Sequence, residues 1–182
     1  MIKFESISQL RNWLEMNGVD LECWGQGDSK SVEDLWQEIT SGETQIQENP
    51  PLRVVHVVNI IVRNGDKILV EGSQKIARNQ VRYRGLPPAE KIKPGEGYID
   101  AAIRGLKEEL QINPDRIRII SSGDEPQSSI HESQSYPGLR SQYIIYNVEV
   151  KIDNLPDNDF WTNERNIGDP VRQHHWKWEP LE

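Results

Sequence analysis

The sequence predicts a layered α/β domain preceded by a short helical extension. Two amphipathic helical patterns occupy the first fifty residues, and valine- and isoleucine-rich strand patterns with one further helical pattern follow them. Strands with helices between and around them are typical of layered α/β folds. The proline pair at 50–51 is a stiff break, so we predict a helical extension over residues 1–50 and a main domain over residues 51–182.

Two serines mark the starts of the predicted N-terminal helices. Ser6 followed by Gln9 has the capping-box pattern, and the helix that it opens ends near Gly18. Ser31 opens the second helix, which ends at Gly42. Each helix has one apolar stripe, made of Ile7, Leu10, Trp13 and Leu14 in the first and of Val32, Leu35, Trp36 and Ile39 in the second. These stripes could pack within the same chain or against a second copy, so a homodimer is one expectation.

The main domain begins with two strands that a tight turn joins. Residues 53–63 are almost continuously apolar, as a strand covered on both faces would be. Asn64-Gly65 is the strongest short hairpin signal, and residues 66–71 supply the partner strand. From residue 72 to residue 94 we predict a loop with several basic side chains: Lys75, Arg78, Arg82, Arg84, Lys91 and Lys93.

The later part of the chain predicts two more strands and a C-terminal strand or turn. The two strands cover residues 116–121 and 142–152, and the polar loop between them runs through Gly138. The tail contains HHWKW, and we expect its tryptophans to lie in the core. Adjacent residues point to opposite sides of a strand, so His174 and His175 are not expected to bind one metal ion together.

Composition and charge exclude several classes of function. The 182 residues include 29 acidic and 21 basic side chains, and the formal net charge of −8 predicts no nucleic-acid partner because it repels a phosphate backbone. The longest apolar stretch, residues 54–62, is far shorter than the roughly 20 residues that cross a bilayer, and the first residues lack the order of a signal peptide. A single cysteine, Cys23, excludes an internal disulfide and fits a reducing compartment. We therefore expect a soluble, cytoplasmic protein without a membrane partner.

The segment EGYIDAAIRGLKEEL, residues 96–110, predicts a helix with an acidic face. Residues three and four apart share a helix face, so Gly105 lies beside Glu108 and Glu109. Adjacent carboxylates repel one another unless a cation lies between them, and Mg²⁺ accepts one or two carboxylates together with water and phosphate oxygens. The alternative is an ordinary exposed helix, in which Arg104 pairs with acidic residues four positions away on either side.

This helix and the loop before it resemble the signature of the Nudix hydrolases. In that signature a glycine, five residues, a glutamate and seven residues precede Arg-Glu-apolar-any-Glu-Glu-any-Gly-apolar. Glu96 and Arg104 have the family spacing, and Glu108, Glu109 and both apolar positions match. The resemblance extends from Arg53 to the C-terminal tryptophans and implies a Nudix-like α/β/α sandwich with a mixed β-sheet.

The resemblance implies a metal-dependent hydrolase that cleaves pyrophosphate bonds. The family's reaction is substitution by water at phosphorus, assisted by Mg²⁺ or Mn²⁺, and the implied substrate is a nucleoside diphosphate linked to another moiety. Glu108 and Glu109 are the implied metal ligands. Glu96 and Arg104 are implied to form a salt bridge that supports the junction of loop and helix, with Glu96 also reaching the metal.

Three positions depart from the family signature. Glu90 replaces its first glycine and Gln111 its late glycine, which could change only the geometry of the loop and of the helix end. Gly105 replaces an acid that commonly serves the family as a metal ligand or base. This glycine costs about 1 kcal/mol of helix stability relative to alanine, with no compensation visible in the sequence. A second interpretation is therefore a Nudix-fold module that binds a nucleotide or a protein partner without hydrolysis.

The missing acid could be supplied from outside the helix. The candidates are Glu90, where the signature begins, and Asp124, Glu125 and Glu132 in the loop after the next predicted strand. Each of these could instead be an ordinary loop acid. If the site is merely impaired, the substitution Gly105→Glu should raise the hydrolytic rate.

Basic and aromatic side chains predict the substrate contacts. A guanidinium offers paired donors that match phosphate, so Arg78, Arg82 and Arg84 are candidate phosphate-binding residues, the alternative being a solvated basic loop. Tyr136 could stack on a base or sugar, although Tyr-Pro-Gly first predicts a packed turn before a strand. The expected partner is a small-molecule nucleotide.

Overall fold

The computed structural model of this chain describes residues 1–76, 80–123, 125–165 and 171–181. Its architecture is α/β, with a mixed sheet, a few helices and an N-terminal helical part, which confirms the predicted fold class. The helices are α1 (Ile7–Met16), α2 (Val32–Thr40) and α3 (Tyr98–Glu109). The strands are β1 (Gln45–Gln47), β2 (Leu52–Asn64), β3 (Lys67–Ile76), β4 (Gln80–Leu86), β5 (Ala89–Lys91), β6 (Ile117–Ser122), β7 (Gln127–Glu132), β8 (Arg140–Ile152), β9 (Phe160–Asn163) and β10 (Val171–Pro180).

The described chain divides into two compact units, each assembled from three segments. Unit 1 contains Met1–Val57, Lys91–Gly95 and Pro126–Ile145, and unit 2 contains Val58–Glu90, Glu96–Glu125 and Tyr146–Glu182. The long strands β2 and β8 contribute residues to both units. The domain boundary at residue 50 stays a prediction.

Both N-terminal helices begin at the serines that predicted them. The Ser6 hydroxyl accepts a hydrogen bond from the Gln9 backbone N–H at 3.3 Å, ahead of α1. Ser31 and Asp34 form a reciprocal capping box at the start of α2, with hydrogen bonds of 3.1 and 2.8 Å. The apolar stripes of both helices pack within unit 1, so the same-chain alternative describes them. The buried core of this unit contains Leu10, Leu14, Val19, Trp24, Val32, Leu35, Ile46, Tyr136 and Leu139.

The strands that support unit 2 are hydrogen-bonded in the order β6-β8-β2-β3-β10-β9, with β4 beside β3. The predicted hairpin joins β2 to β3, where Asn64 pairs with Lys67 and Gly65 has the left-handed φ of 63° that this turn requires. The predicted C-terminal strand is β10, which pairs with β3 over most of its length and buries Trp176. Among the described residues, no helix has the length and apolarity needed to span a bilayer.

The predicted loop over residues 72–94 is wrong. β3 continues to Ile76, β4 pairs with it, and β5 follows. Every residue of β4 is exposed, so this strand lacks the buried alternation by which a sequence reveals a strand. The polar strand β7, which lies in the second predicted loop, was missed for the same reason, since it is mostly exposed and pairs along its length with β8.

Gly42 occupies a position in unit 1 that no other residue fits without strain. Its φ is +77°, and a Cβ there would lie 2.2 Å from Pro94 Cγ. We expect Gly42→Ala to destabilise the protein by about 2 kcal/mol or more, since the strained backbone and the steric clash add. Urea unfolding measures this loss. Gly18→Ala is the matched control, because Gly18 has a φ of +76° but a Cβ added there would meet nothing within 4 Å; equal losses would contradict the close approach to Pro94.

Glu38 is a buried carboxylate of α2 that three cations surround in unit 1. It accepts hydrogen bonds from Lys30 Nζ at 2.7 Å and Arg53 Nη2 at 2.6 Å, and it pairs with Lys91 Nζ at 3.0 Å. Burial alone would raise the pKa of Glu38, but the charges of Arg53 and Lys91 and the two hydrogen bonds lower it to about 2. Because the pKa of Glu38 is lower in the folded state, its ionised form stabilises the fold.

Protonation of Glu38 should therefore destabilise the fold in acid. The unfolded chain takes up this proton near pH 4.5 and the folded chain near pH 2, so the stabilisation is present above pH 4.5 and is lost as the pH falls between these values. Urea unfolding from about pH 6 to about pH 2.5 measures this loss. We expect Glu38→Gln to be less stable than wild type at the upper pH and to lose less stability over the interval. Parallel curves for the two proteins would contradict this assignment.

Candidate active site

Arg104 of α3 joins three acidic side chains in unit 2. Its Nε and Nη2 donate to the two carboxylate oxygens of Glu96 at 2.8 and 3.0 Å, and its Nη1 lies 3.2 Å from Glu90 Oε1. A longer contact of 3.7 Å reaches Glu108 Oε2. The hydrogen bonds that Arg104 donates to Glu96, followed by the negative charges of Glu90 and Glu96, hold the pKa of Arg104 above its usual range. The geometry is that of the predicted salt bridge between loop and helix.

Gly105 leaves room on α3 for the side chain of Glu90. A Cβ at position 105 would lie 2.9 Å from Glu90 Cβ and 3.2 Å from both Cγ and Oε2 of the same residue. The family signature has glycine where this chain has Glu90 and glutamate where it has Gly105, so the two residue types have exchanged positions. This packing compensates for the glycine in the helix, which the sequence did not reveal. The Glu90 carboxylate lies against the helix at the position from which the side chain of the missing acid would extend.

Glu109 is a partly buried carboxylate with other carboxylates close to it. Burial, and then the negative charges of Glu71 and Glu90, raise the pKa of Glu109 to about 8, while His174 and Arg84 oppose this shift. The adjacent Glu108 is different, since 57% of its side chain is exposed and it faces Arg104. Negative charge is thus concentrated around Glu109. A bound cation would reduce the repulsion between these carboxylates.

Carboxylate oxygens are the donors that Mg²⁺ and Mn²⁺ prefer, so the chemistry of these side chains fits the predicted metal. Within the described ranges no group of three or more histidine, cysteine, aspartate or glutamate side chains is arranged around one point. Mg²⁺ does not require such a group, since one or two carboxylates suffice when water and phosphate complete the shell. Glu108 and Glu109 fit that role, whereas both oxygens of Glu96 are hydrogen-bonded to Arg104, which favours a supporting role for Glu96.

The helix end after Glu109 tolerates the loss of the family's late glycine. Gln111 adopts a left-handed φ of 58°, the conformation that glycine adopts most easily. Its side-chain amide donates to the Asn163 carbonyl at 2.6 Å and its amide oxygen accepts from Arg165 at 3.1 Å. This departure therefore alters the helix end and not the acidic face.

The structure describes two of the three remaining acid candidates, Glu125 and Glu132. Glu125 is exposed, and Glu132 in unit 1 pairs with Arg140 at 3.8 Å, as an ordinary surface acid does. Asp124 lies outside the described residues. Among the candidates that the structure describes, Glu90 is the one that contacts the signature helix.

Of the predicted substrate-binding residues, Arg82 and Arg84 lie on β4 in unit 2, and Arg78 lies outside the described residues. Tyr136 requires a correction. Its exposure is 0%, and its ring packs against Trp24 and under the Arg53 guanidinium in unit 1. A ring without exposed surface cannot stack on a substrate, so Tyr136 is the packed turn aromatic that its sequence first predicts.

The sequence analysis did not predict the polar cluster around Glu71 on β3. The Glu71 carboxylate is buried, accepts a hydrogen bond from Gln74 Nε2 at 2.7 Å, forms an ion pair with Arg84 Nε at 3.0 Å and is hydrogen-bonded with His174 Nδ1. The two histidines of the tail point apart, as predicted: His174 is buried beside Glu71, and His175 stacks on Trp161. The sequence signal for this cluster was Glu71 itself, an acidic residue in the second strand of the predicted hairpin.

A family model of the NUDIX domain matches residues 52–182. Since the match covers well over half of the sequence, this chain belongs to the NUDIX family, which confirms the resemblance drawn from the signature helix. The coarser functional prediction, a Nudix-type hydrolase, has the support of this match. The chain has no significant match among proteins with curated functions.

Several solved structures are similar to this chain at low sequence identity. An Ap4A hydrolase from C. elegans, in a binary complex, is 20% identical over 69% of this chain and 80% of that chain, with a TM-score of 0.39. A NUDIX-family hydrolase from Clostridium perfringens is 17% identical over 69% and 80% of the two chains, with a TM-score of 0.39. A NUDIX hydrolase from Nitrosomonas europaea is 18% identical over 68% and 71%, with a TM-score of 0.40.

Proposed function

We propose that this protein is a hydrolase that depends on Mg²⁺ or Mn²⁺ and cleaves a pyrophosphate bond in a nucleoside diphosphate linked to another moiety. One observation supports the proposal above the others: the Glu90 side chain lies over Gly105, where the family signature has its acid. The exchange keeps a carboxylate next to Glu109 and thus keeps the number of acids at this face of α3. A site that had lost its chemistry would have no need of the exchange.

Each acidic residue of the site has a distinct proposed role. Glu109 and Glu108 would hold the divalent ion, and Glu90 would supply the acid that positions or deprotonates the attacking water. The ion, when bound, neutralises phosphate oxygens and makes phosphorus easier to attack. Glu96 fixes Arg104 through two hydrogen bonds, and Arg104 in turn holds Glu90 at 3.2 Å and so orients it.

The substrate side of the site would be cationic. The protein has a net charge of −8, so an anionic substrate needs local positive charge in addition to a metal ion. Arg84 and Arg82 on β4 supply it in unit 2, since guanidinium groups match the geometry of phosphate oxygens. A small-molecule nucleotide, acted on in the cytoplasm, is the partner that fits this proposal.

A panel of nucleotide-sugars, dinucleotides and nucleoside triphosphates tests the function, with phosphate-containing products measured first with Mg²⁺ and then with Mn²⁺. We expect cleavage of at least one compound with a diphosphate linkage, and no cleavage when a chelator removes the metal. Lys107→Ala is the matched control, because this exposed residue lies on α3 but outside the acidic cluster. The absence of products from all three classes with either metal would contradict the proposal.

The second candidate is a Nudix-fold module that binds a nucleotide or a protein partner without cleaving a bond. Gly105, which stands where the family signature has an acid, favours this candidate. The same panel separates the two functions when binding is measured alongside product release. Nucleotide binding without any product would support the module.

A further inference from the structure

A continuous polar network in unit 2 connects Glu164, which follows β9, to the exposed strand β4. It runs from Glu164 to His174, from His174 to Glu71, and from Glu71 to Gln74 and Arg84. Gln74 then accepts hydrogen bonds from Arg82, one of them at 2.9 Å. We call these six residues the Glu71 network. It connects the buried Glu71 and the partly buried Glu164 to two arginines of an exposed strand.

His174 is the cation at the centre of this network. Its Nδ1 lies against Glu71 and its Nε2 lies 3.1 Å from Glu164 Oε2, and only 3% of the residue is exposed. An imidazolium donates from both ring nitrogens, which matches a carboxylate oxygen at each of them. Burial would lower the pKa of His174, but the hydrogen bonds with Glu71 and Glu164 outweigh it and raise the pKa to about 9. His174 therefore holds Glu71 as an imidazolium.

Arg82 and Arg84 both contact the rest of the Glu71 network from β4, at the place where the register between β3 and β4 shifts. Gln74 is the cross-strand partner of Arg82, and the two side chains are hydrogen-bonded. Arg84 reaches Glu71 through its Nε, and 35% of its side chain remains exposed. The two guanidinium groups are thus anchored at their inner ends by buried acceptors, next to the acidic cluster of Glu109.

We infer that Glu71, Gln74 and His174 are positioning residues that hold Arg82 and Arg84 as a paired clamp for a substrate phosphate. This inference rests on the proposed function and adds the groups that set the clamp's geometry. A long arginine side chain that is free in solution must be ordered when phosphate binds, whereas one that is already anchored loses less freedom and binds more tightly. Glu164 completes the clamp by fixing the far side of the His174 ring.

The binding of methylenediphosphonate, a pyrophosphate analogue without a cleavable P–O–P bond, tests the clamp with Mg²⁺ present. Calorimetry gives its dissociation constant for wild type, His174→Asn, Arg84→Ala and the double variant. We expect each single variant to bind about tenfold more weakly, and the double variant to be little weaker than either, because both changes remove the same anchored group. His175→Asn is the matched control, since His175 stacks on Trp161 outside the network, and it should bind like wild type.

Two results would overturn the inference: wild-type affinity in a folded His174→Asn protein, or effects of His174→Asn and Arg84→Ala that multiply in the double variant. If His174→Asn does not fold, Arg84→Lys decides, because it keeps the charge but cannot make the Nε contact with Glu71. Weakened binding then supports the clamp and wild-type affinity overturns it. Since no bond is cleaved, wild-type binding without hydrolysis of the nucleotide panel removes the proposed function and leaves the clamp, whereas a wild type that does not bind the analogue overturns the clamp.

Discussion

Glu109→Gln should abolish divalent-metal binding and lower the hydrolytic rate by about a thousandfold or more, while the fold stays intact. Glu109 is the partly buried carboxylate whose pKa is raised to about 8 by burial and by the charges of Glu71 and Glu90. A divalent ion relieves that repulsion and gains the charge of Glu109 as a ligand. Glutamine has almost the same shape as glutamate but no charge. In the variant the ion therefore has neither the carboxylate repulsion to relieve nor the charged ligand to bind.

Calorimetric titration with Mn²⁺ measures the first effect, and steady-state rates on the best substrate of the panel measure the second. Asp100→Asn is the matched control, because it removes one acid from an exposed position of the same helix. The control should bind Mn²⁺ like wild type. Equal Mn²⁺ binding by Glu109→Gln and wild type would contradict the assigned site, whatever the rates are.

Glu90→Gly and Gly105→Glu should each lower the rate, and their combination should restore it. Glu90→Gly removes the proposed acid, a loss of about a hundredfold. Gly105→Glu introduces a Cβ only 2.9 Å from Glu90 Cβ, so one of the two side chains must move. The sequence alone predicts that this substitution helps an impaired site; the packing of Glu90 reverses that expectation. The double variant has the family's own arrangement, with glycine in the loop and glutamate on the helix.

Steady-state rates of the two single variants and the double variant measure this coupling. Gly105→Ala separates the steric effect from the charge, since alanine normally stabilises a helix by about 1 kcal/mol relative to glycine. Here we expect it to lower thermal stability, because its Cβ meets Glu90. A double variant as slow as the slower single variant would contradict the exchange.

Local chemistry made much of the fold predictable. The capping serines Ser6 and Ser31 and the Asn64-Gly65 turn act within a few residues of themselves, so their effects can be read along the chain. β4 and β7 could not be predicted, because both are exposed strands that pairing with a neighbour stabilises and burial does not.

The site was predictable where it matches the family signature and not where it depends on packing. The resemblance to that signature implied the salt bridge between Glu96 and Arg104, and Glu90 was among the candidate acids. What the sequence could not give was the contact of Glu90 with Gly105, because it depends on how the loop folds back onto α3. The pairing of Glu71 with His174 was also beyond reach, since 103 positions separate them and the register of β3 with β10 brings them together.

Diffraction at the manganese absorption edge, from crystals grown with Mn²⁺, would locate the ion and its ligands in one experiment. We expect an ion bound to Glu109 at about 2.1 Å, with the Glu90 carboxylate turned toward it from its position over Gly105. An ion held by other residues, or a Glu90 carboxylate that points away from an ion at Glu109, would contradict the claim that Glu90 replaces the acid missing from the helix.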